Sequence, residues 1–168
     1  MNRILLTSLF FLLVGCQSNP SYTSGGNSEL DAMHELAGAG NAMAQHRLCY
    51  GYSYGLEGLL KDDIKAFRWC EIAAESGAPS SLTLFAEKFY LGVGVPVNYA
   101  AAFPLYKQAA EKGHSHAQYM MAQFYFRGRV VEPNTEEGVM WLIKSAEKGH
   151  EGAIEMLKAI GKHNGKRT

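Results

Sequence analysis

The six histidines of the chain are the first residues to test for metal binding or acid–base catalysis. His114 and His116 are two positions apart, so on a helix they would point to different faces. His150 occupies the same place in a repeated segment as His114, which indicates a structural pattern. The other three histidines have no cysteine or acid at the spacing of metal ligands. The sequence therefore predicts no metal site.

Motifs for catalysis or phosphate binding are missing from the sequence. Gly92-Val93-Gly94 is a lone Gly-x-Gly between two predicted helices, whereas a phosphate loop follows a strand and continues with a lysine or further glycine. No nucleophile elbow and no zinc-protease motif occurs. Basic and acidic residues number 16 each, so no excess of positive charge indicates nucleic acid. We predict a protein that is not an enzyme and needs no cofactor.

Cys49 and Cys70 have the clearest potential chemistry in the chain. They lie on the two helices of one predicted hairpin, whose turn near residues 57–60 would bring the thiols close together. An exported domain would permit a disulfide between them. The alternative is a pair of buried thiols, which pack as small apolar groups.

A five-residue segment recurs three times and organises the whole chain. The copies end at Gly77, Gly113 and Gly149, which are 36 residues apart in each case. A fixed period of this size is the signature of a repeat array. One helical hairpin cannot bury its apolar face alone, so each repeat must stack on its neighbours.

Helical periodicity and N-cap signals place the predicted elements within these repeats. The first helices are predicted over residues 42–54, 79–91 and 115–127. The second helices should begin after the N-cap candidates Asp62, Asn98 and Asn134. Residues 29–39 and 151–161 should form capping helices. Pro104 falls inside the second helix of repeat 2, which predicts a bent or late-starting helix there.

Three segments of the chain resemble the Sel1-like repeat family, a relative of the tetratricopeptide repeats. They are Gly113-His114-Ser115-His116-Ala117-Gln118, the turn at residues 125–128 and Lys144-Ser145-Ala146-Glu147-Lys148-Gly149. The resemblance covers residues 40–161. It implies an all-α fold, a right-handed α/α solenoid of about three helical hairpins plus capping helices over residues 29–161.

The N terminus resembles that of a bacterial lipoprotein. An apolar run at residues 4–14 follows a short positive start and ends in Leu13-Val14-Gly15-Cys16, which is similar to a lipobox. The resemblance implies a signal peptide over residues 1–15, acylation of Cys16 and a flexible tether over residues 16–28. Gln17 stands where an aspartate would favour the inner membrane, so we expect an outer-membrane anchor facing the periplasm. Residues 162–168 form a basic tail.

The predicted partner-binding surface is the concave face that first helices line in tetratricopeptide-like arrays. One candidate stripe recurs at i, i+4 and i+8 on each first helix. Its members are His46, Tyr50, Tyr54, Thr83, Glu87, Leu91, Tyr119, Gln123 and Arg127. The alternatives are that some of these tyrosines are core residues, or that the neighbouring stripe with Arg47, Lys88 and Phe124 faces the groove.

The family resemblance implies an interaction scaffold that binds another protein. For an exported member, one specific role is an immunity protein that neutralises a delivered toxin, such as a phospholipase. The alternative is an envelope assembly or stress adaptor. A glycan hydrolase would need paired carboxylates across a cleft, and Glu87 is the only acid in the candidate stripe.

Overall fold

The computed structural model describes residues 28–164, all of them within or between helices. The predicted signal peptide, the lipidation site Cys16 and most of the tether lie outside the described residues. Eight helices and no strand occur in the described range. They are α1 Ser28–Gly38, α2 Ala42–Tyr54, α3 Asp63–Ala74, α4 Pro79–Leu91, α5 Tyr99–Glu111, α6 Ser115–Arg127, α7 Thr135–Glu147 and α8 Glu151–Asn164.

The helices form three antiparallel hairpins, α2/α3, α4/α5 and α6/α7, which stack in chain order between α1 and α8. This all-α solenoid is the fold that the sequence predicted. The C-terminal boundary differs, because α8 continues to Asn164 into the predicted basic tail. No described helix has the length and apolar character needed to cross a membrane.

Local capping explains why the helices begin and end where they do. The predicted N-caps all accept hydrogen bonds from backbone amides of the following turn: Asp62, Asn98 and Asn134. The first helices end at glycines with a left-handed backbone, which favours a residue without a side chain. These glycines are Gly55, Gly92 and Gly128.

Small residues allow the two helices of each hairpin to approach closely. Ala66 and Ala102 are fully buried at one position of the second helices, and Gly138 stands there in the third repeat. A Cβ atom on Gly138 would overlap the ring of Phe126. The glycine therefore provides the space that this aromatic side chain fills.

A disulfide joins α2 to α3 between Cys49 and Cys70, whose Cα atoms are 4.7 Å apart. Both cysteines are fully buried. In repeat 2 the residues 36 or 37 positions later are Ala86 and Tyr106, which are also fully buried. The covalent bond thus occupies the place where repeat 2 packs a large side chain against a small one.

Pro104 does not delay its helix. The helix α5 begins at Tyr99 directly after its N-cap, at the position equivalent to Thr135 in repeat 3, so the predicted late start is not observed. Pro104 and Ala100 are both exposed. The carbonyl of Ala100, which loses its intrahelical donor, can therefore bond to water.

Candidate protein-interaction face

The first helices α2, α4 and α6 lie side by side, and we call the surface that they form the first-helix face. Polar side chains connect them directly. His46 Nδ1 on α2 is hydrogen-bonded to Ser81 Oγ on α4, at 3.0 Å. Thr83 Oγ1 on α4 lies 3.1 Å from the Nδ1 atom of His114, the N-cap of α6. The sequence predicted that first helices would share a face, and these contacts place them together.

The nine predicted binding residues fall into three groups by exposure. Four are exposed: Tyr50, Tyr54, Leu91 and Arg127. Three are half-buried: His46, Glu87 and Tyr119. Two are buried and differ from the expectation of accessible side chains: Thr83 and Gln123.

The buried pair fails as a contact surface because its polar atoms bind within the stack. Thr83 Oγ1 donates to the carbonyl of Pro79 at 2.8 Å, besides its contact with His114. Gln123 Nε2 lies 3.7 Å from the sulfur of Met156 on α8. Both side chains contact a neighbouring helix and expose only a small fraction of their surface.

Five of the nine predicted residues line one groove of about 290 Å³, which we call the tyrosine groove. They are His46, Tyr50, Tyr54, Thr83 and Glu87. The rings of Tyr50 and Tyr54 are 4.7 Å apart, and these side chains are 43% and 52% exposed. Leu91 lines an adjoining cavity, whereas Tyr119, Gln123 and Arg127 line neither of these two.

Glu87 is the acidic centre of the tyrosine groove. Its Oε1 atom lies 3.2 Å from His116 Nε2, and its Oε2 atom accepts a hydrogen bond from the Tyr54 hydroxyl at 3.5 Å. His116 Nδ1 is in turn 3.2 Å from His150 Nε2 at the start of α8. Tyr119 stacks on the His150 ring with centroids 4.7 Å apart. A continuous chain of contacts therefore crosses the face from α2 to α8.

Burial keeps the imidazoles of this face towards their neutral form. Desolvation lowers the pKa of His46 and of His114, and for His114 the neighbouring His116 lowers it further. Desolvation also raises the pKa of Tyr54, with Glu87 adding to the shift. The groove thus places the desolvated rings of His46, His114 and Tyr54 beside the carboxylate of Glu87.

Sequence reasoning missed His114 and His116, which both line the tyrosine groove. The prediction that they would point to different faces assumed that both lie on a helix. His114 is the N-cap of α6, and its ring accepts from the amide of Ala117. His114 directly precedes the predicted helix, and this N-cap position was the sequence signal that its ring could turn towards the same side as His116.

The alternative stripe does not form an open surface. Phe124 is buried in the core, and Arg47 pairs with Glu57. Lys88 is buried along most of its length. Among the described residues, no group of three or more histidine, cysteine or acidic side chains is arranged to hold a metal ion.

At the far end of the face, Arg127 is held in place by an aromatic neighbour. Its Nη1 atom donates to the Tyr90 hydroxyl at 3.3 Å, and Arg129 donates to the same hydroxyl at 3.1 Å. The Arg129 guanidinium lies over the Tyr99 ring, 4.4 Å from its centroid. Arg127 is therefore a positioned, exposed cation outside the tyrosine groove.

Comparison with solved structures shows where this architecture recurs. A Sel1 repeat protein from Oxalobacter formigenes is 31% identical, with a TM-score of 0.69 over 78% of this chain and 98% of that one. The protective antigen c5321 of uropathogenic Escherichia coli is 29% identical, with a TM-score of 0.69 over 74% of this chain and 26% of that one. Cysteine rich protein B of Helicobacter pylori, at 16% identity and a TM-score of 0.60, shares the fold.

Sequence comparison gives the same result. The HRD3A component of an ERAD-associated E3 ubiquitin-protein ligase of Arabidopsis thaliana is 34% identical over 68 residues, or 40% of this chain. That match spans only 10% of the relative's length. The family model of the Sel1 repeat matches residues 42–77, 89–114 and 115–150, which together are more than half of the chain. The chain belongs to the Sel1 repeat family.

Proposed function

We propose that this chain binds a protein partner in the tyrosine groove and acts without catalysis. Sel1 repeat proteins are generally protein-interaction scaffolds, and HRD3A is itself a component of a larger assembly. The observation that carries the proposal is the exposed pair Tyr50 and Tyr54 beside Glu87. Tyrosines supply large apolar area with a polar tip, and they are typical anchors of protein interfaces.

The groove is built to accept a partner with little rearrangement. Its walls belong to helices that are fixed by hairpin packing and by polar side-chain contacts between α2, α4 and α6. Rigid walls lower the entropic cost of association, because fewer side chains must be ordered on binding.

The finer proposal concerns the cellular role. A lipid anchor at Cys16 would hold the solenoid on the periplasmic side of the outer membrane, where a delivered toxin such as a phospholipase would act. Neutralising such a toxin is the specific role that we propose. The alternative role is an adaptor for resident envelope proteins, and both roles use the same face.

The test is a cross-linked pull-down of the full-length chain from intact cells. The variant Tyr50→Ala/Tyr54→Ala removes the two anchors, and Ile64→Ala is the matched control, since Ile64 is an exposed apolar residue on the second helix α3. One toxin-like partner that is lost only in the double variant would support the immunity role. Several resident envelope proteins lost in the same way would support the adaptor. Partners retained by the double variant would show that another face binds.

A further inference from the structure

Lys88 is a charged residue at a position that the repeat uses for its core. Thirty-six residues later, repeat 3 places Phe124, which is almost fully buried. Lys88 is only 4% exposed, although a lysine is rarely buried without a partner. A charge where the fold favours an apolar side chain is an inconsistency of the kind that functional sites show.

The ammonium group of Lys88 has one hydrogen bond within the described residues. Nζ donates to Ser53 Oγ at 2.6 Å, and Ser53 Oγ donates its own proton to the carbonyl of Cys49 at 2.6 Å. An ammonium has three donors, so two remain. No carboxylate between residues 28 and 164 lies within the 4.0 Å of an ion pair with Lys88.

Lys88 lines a cavity of about 330 Å³, which we call the lysine pocket. Its Nζ atom lies 5.9 Å from the centroid of the Tyr54 ring, which belongs to the same lining. The polar lining of the pocket is Ser53, Tyr54, Lys61, Glu87 and Lys88, and its apolar wall is Leu91 and Val93. Leu91 is exposed at the rim. The pocket adjoins the tyrosine groove, because Tyr54 and Glu87 line both.

The other charges around the pocket already have partners. Lys61 Nζ lies 3.4 Å from Asp63 Oδ1, and Glu87 contacts both His116 and Tyr54. Desolvation lowers the pKa of Lys88, while the more distant Glu87 and Asp63 act in the opposite direction. An ammonium that is removed from water without a counter-ion gains most from one negative charge placed against it.

We propose that the lysine pocket binds the carboxylate of an acidic side chain on the partner protein, with an apolar neighbour of that residue packed on Leu91. Lys88 is the cation of this pocket that has no carboxylate partner, and one carboxylate can accept both of its remaining Nζ donors. This inference rests on the proposed function, because it specifies which partner side chain enters the end of the same groove.

The experiment titrates the full-length chain with two short peptides blocked at both ends, acetyl-Ala-Leu-Glu-Leu-Ala-amide and its Glu→Gln counterpart. Binding is followed by the NMR signals of the Lys88 side chain and the Leu91 methyl groups. We expect the glutamate peptide to bind about tenfold more tightly, since a charge-assisted hydrogen bond is lost in the glutamine peptide. We also expect Lys88→Met to remove that difference, and Lys61→Met to retain most of it.

Equal affinity for the two peptides, absence of binding, or a preference that persists in Lys88→Met would each overturn the inference. Lys88→Met should keep or increase the midpoint of thermal unfolding, because it removes an unpaired buried charge. A large decrease would instead assign Lys88 a structural role through Ser53. The pull-down separates this inference from the proposed function. If the Tyr50→Ala/Tyr54→Ala variant loses its partner but the peptide test fails, the inference about the lysine pocket is overturned and the proposed function stands.

Discussion

The hydroxyl oxygen of Tyr106 is an unsatisfied polar atom in an otherwise well-packed repeat. Its side chain is fully buried, yet its hydroxyl has no hydrogen-bond partner among the described residues. Desolvation raises the pKa of this hydroxyl far above its usual range. The equivalent residues of the other repeats are Cys70 and Leu142, which carry no hydroxyl. The ring therefore stabilises the core, whereas its oxygen does not.

We predict that Tyr106→Phe increases the free energy of unfolding by about 1 kcal/mol, since it removes an unsatisfied buried polar group without changing the ring. Urea denaturation followed by circular dichroism measures this difference. Tyr52→Phe is the matched control, because the buried Tyr52 hydroxyl is hydrogen-bonded to His34 Nε2 at 3.0 Å. That control should be destabilising. A comparable loss of stability in Tyr106→Phe would mean that its hydroxyl has a partner such as a bound water.

At the scale of the helix, the ends were predictable from sequence and the rotation about the axis was not. Capping residues act within one turn, so Asn98 and Asn134 specify where α5 and α7 begin without reference to the rest of the fold. Whether Thr83 or Gln123 faces solvent depends on the neighbouring hairpin, and a single repeat contains no such information. The i, i+4, i+8 stripe therefore contains the exposed Tyr50 and Tyr54 together with the buried Thr83 and Gln123.

Pro104 provides a test of how much a helix of this array depends on its neighbours. We predict that Pro104→Ala increases the free energy of unfolding by about 1–3 kcal/mol, because it restores the donor for the Ala100 carbonyl and removes the ring clash. Thermal and urea unfolding measure the change. Met140→Ala is the control at the equivalent exposed position of α7 and should have a smaller effect. No gain in Pro104→Ala would show that stacking already compensates for the proline.

At the scale of the whole molecule, the polar side chains of the first-helix face form one network, and the disulfide fixes the hairpin at its N-terminal end. The disulfide anchors α2 to α3, and side-chain contacts continue from α2 through Glu87 and His116 to His150, which directly precedes α8. The 36-residue period predicted the order of the stack. It did not predict this network, because the participating residues differ from repeat to repeat and meet only after stacking.

Three half-buried histidines of this network predict how the stability of the molecule responds to acid. Desolvation lowers the pKa of His46, His114 and His150 below the ordinary value of 6.5. In the unfolded chain the imidazoles have their ordinary pKa. At pH values near and below that pKa the unfolded chain therefore binds more protons than the folded chain. The stability that comes from keeping these imidazoles neutral is fully present above pH 6.5. It is lost as the pH falls from 6.5 through the lower pKa values that the histidines have in the folded state.

We therefore predict that the free energy of unfolding decreases as the pH is lowered from about 7.5 to 5.5, and that unfolding takes up protons in this range. Urea denaturation across the pH series measures the slope. His46→Gln/His150→Gln removes two of the three groups and should flatten the curve. Stability that rises towards acid would contradict the prediction.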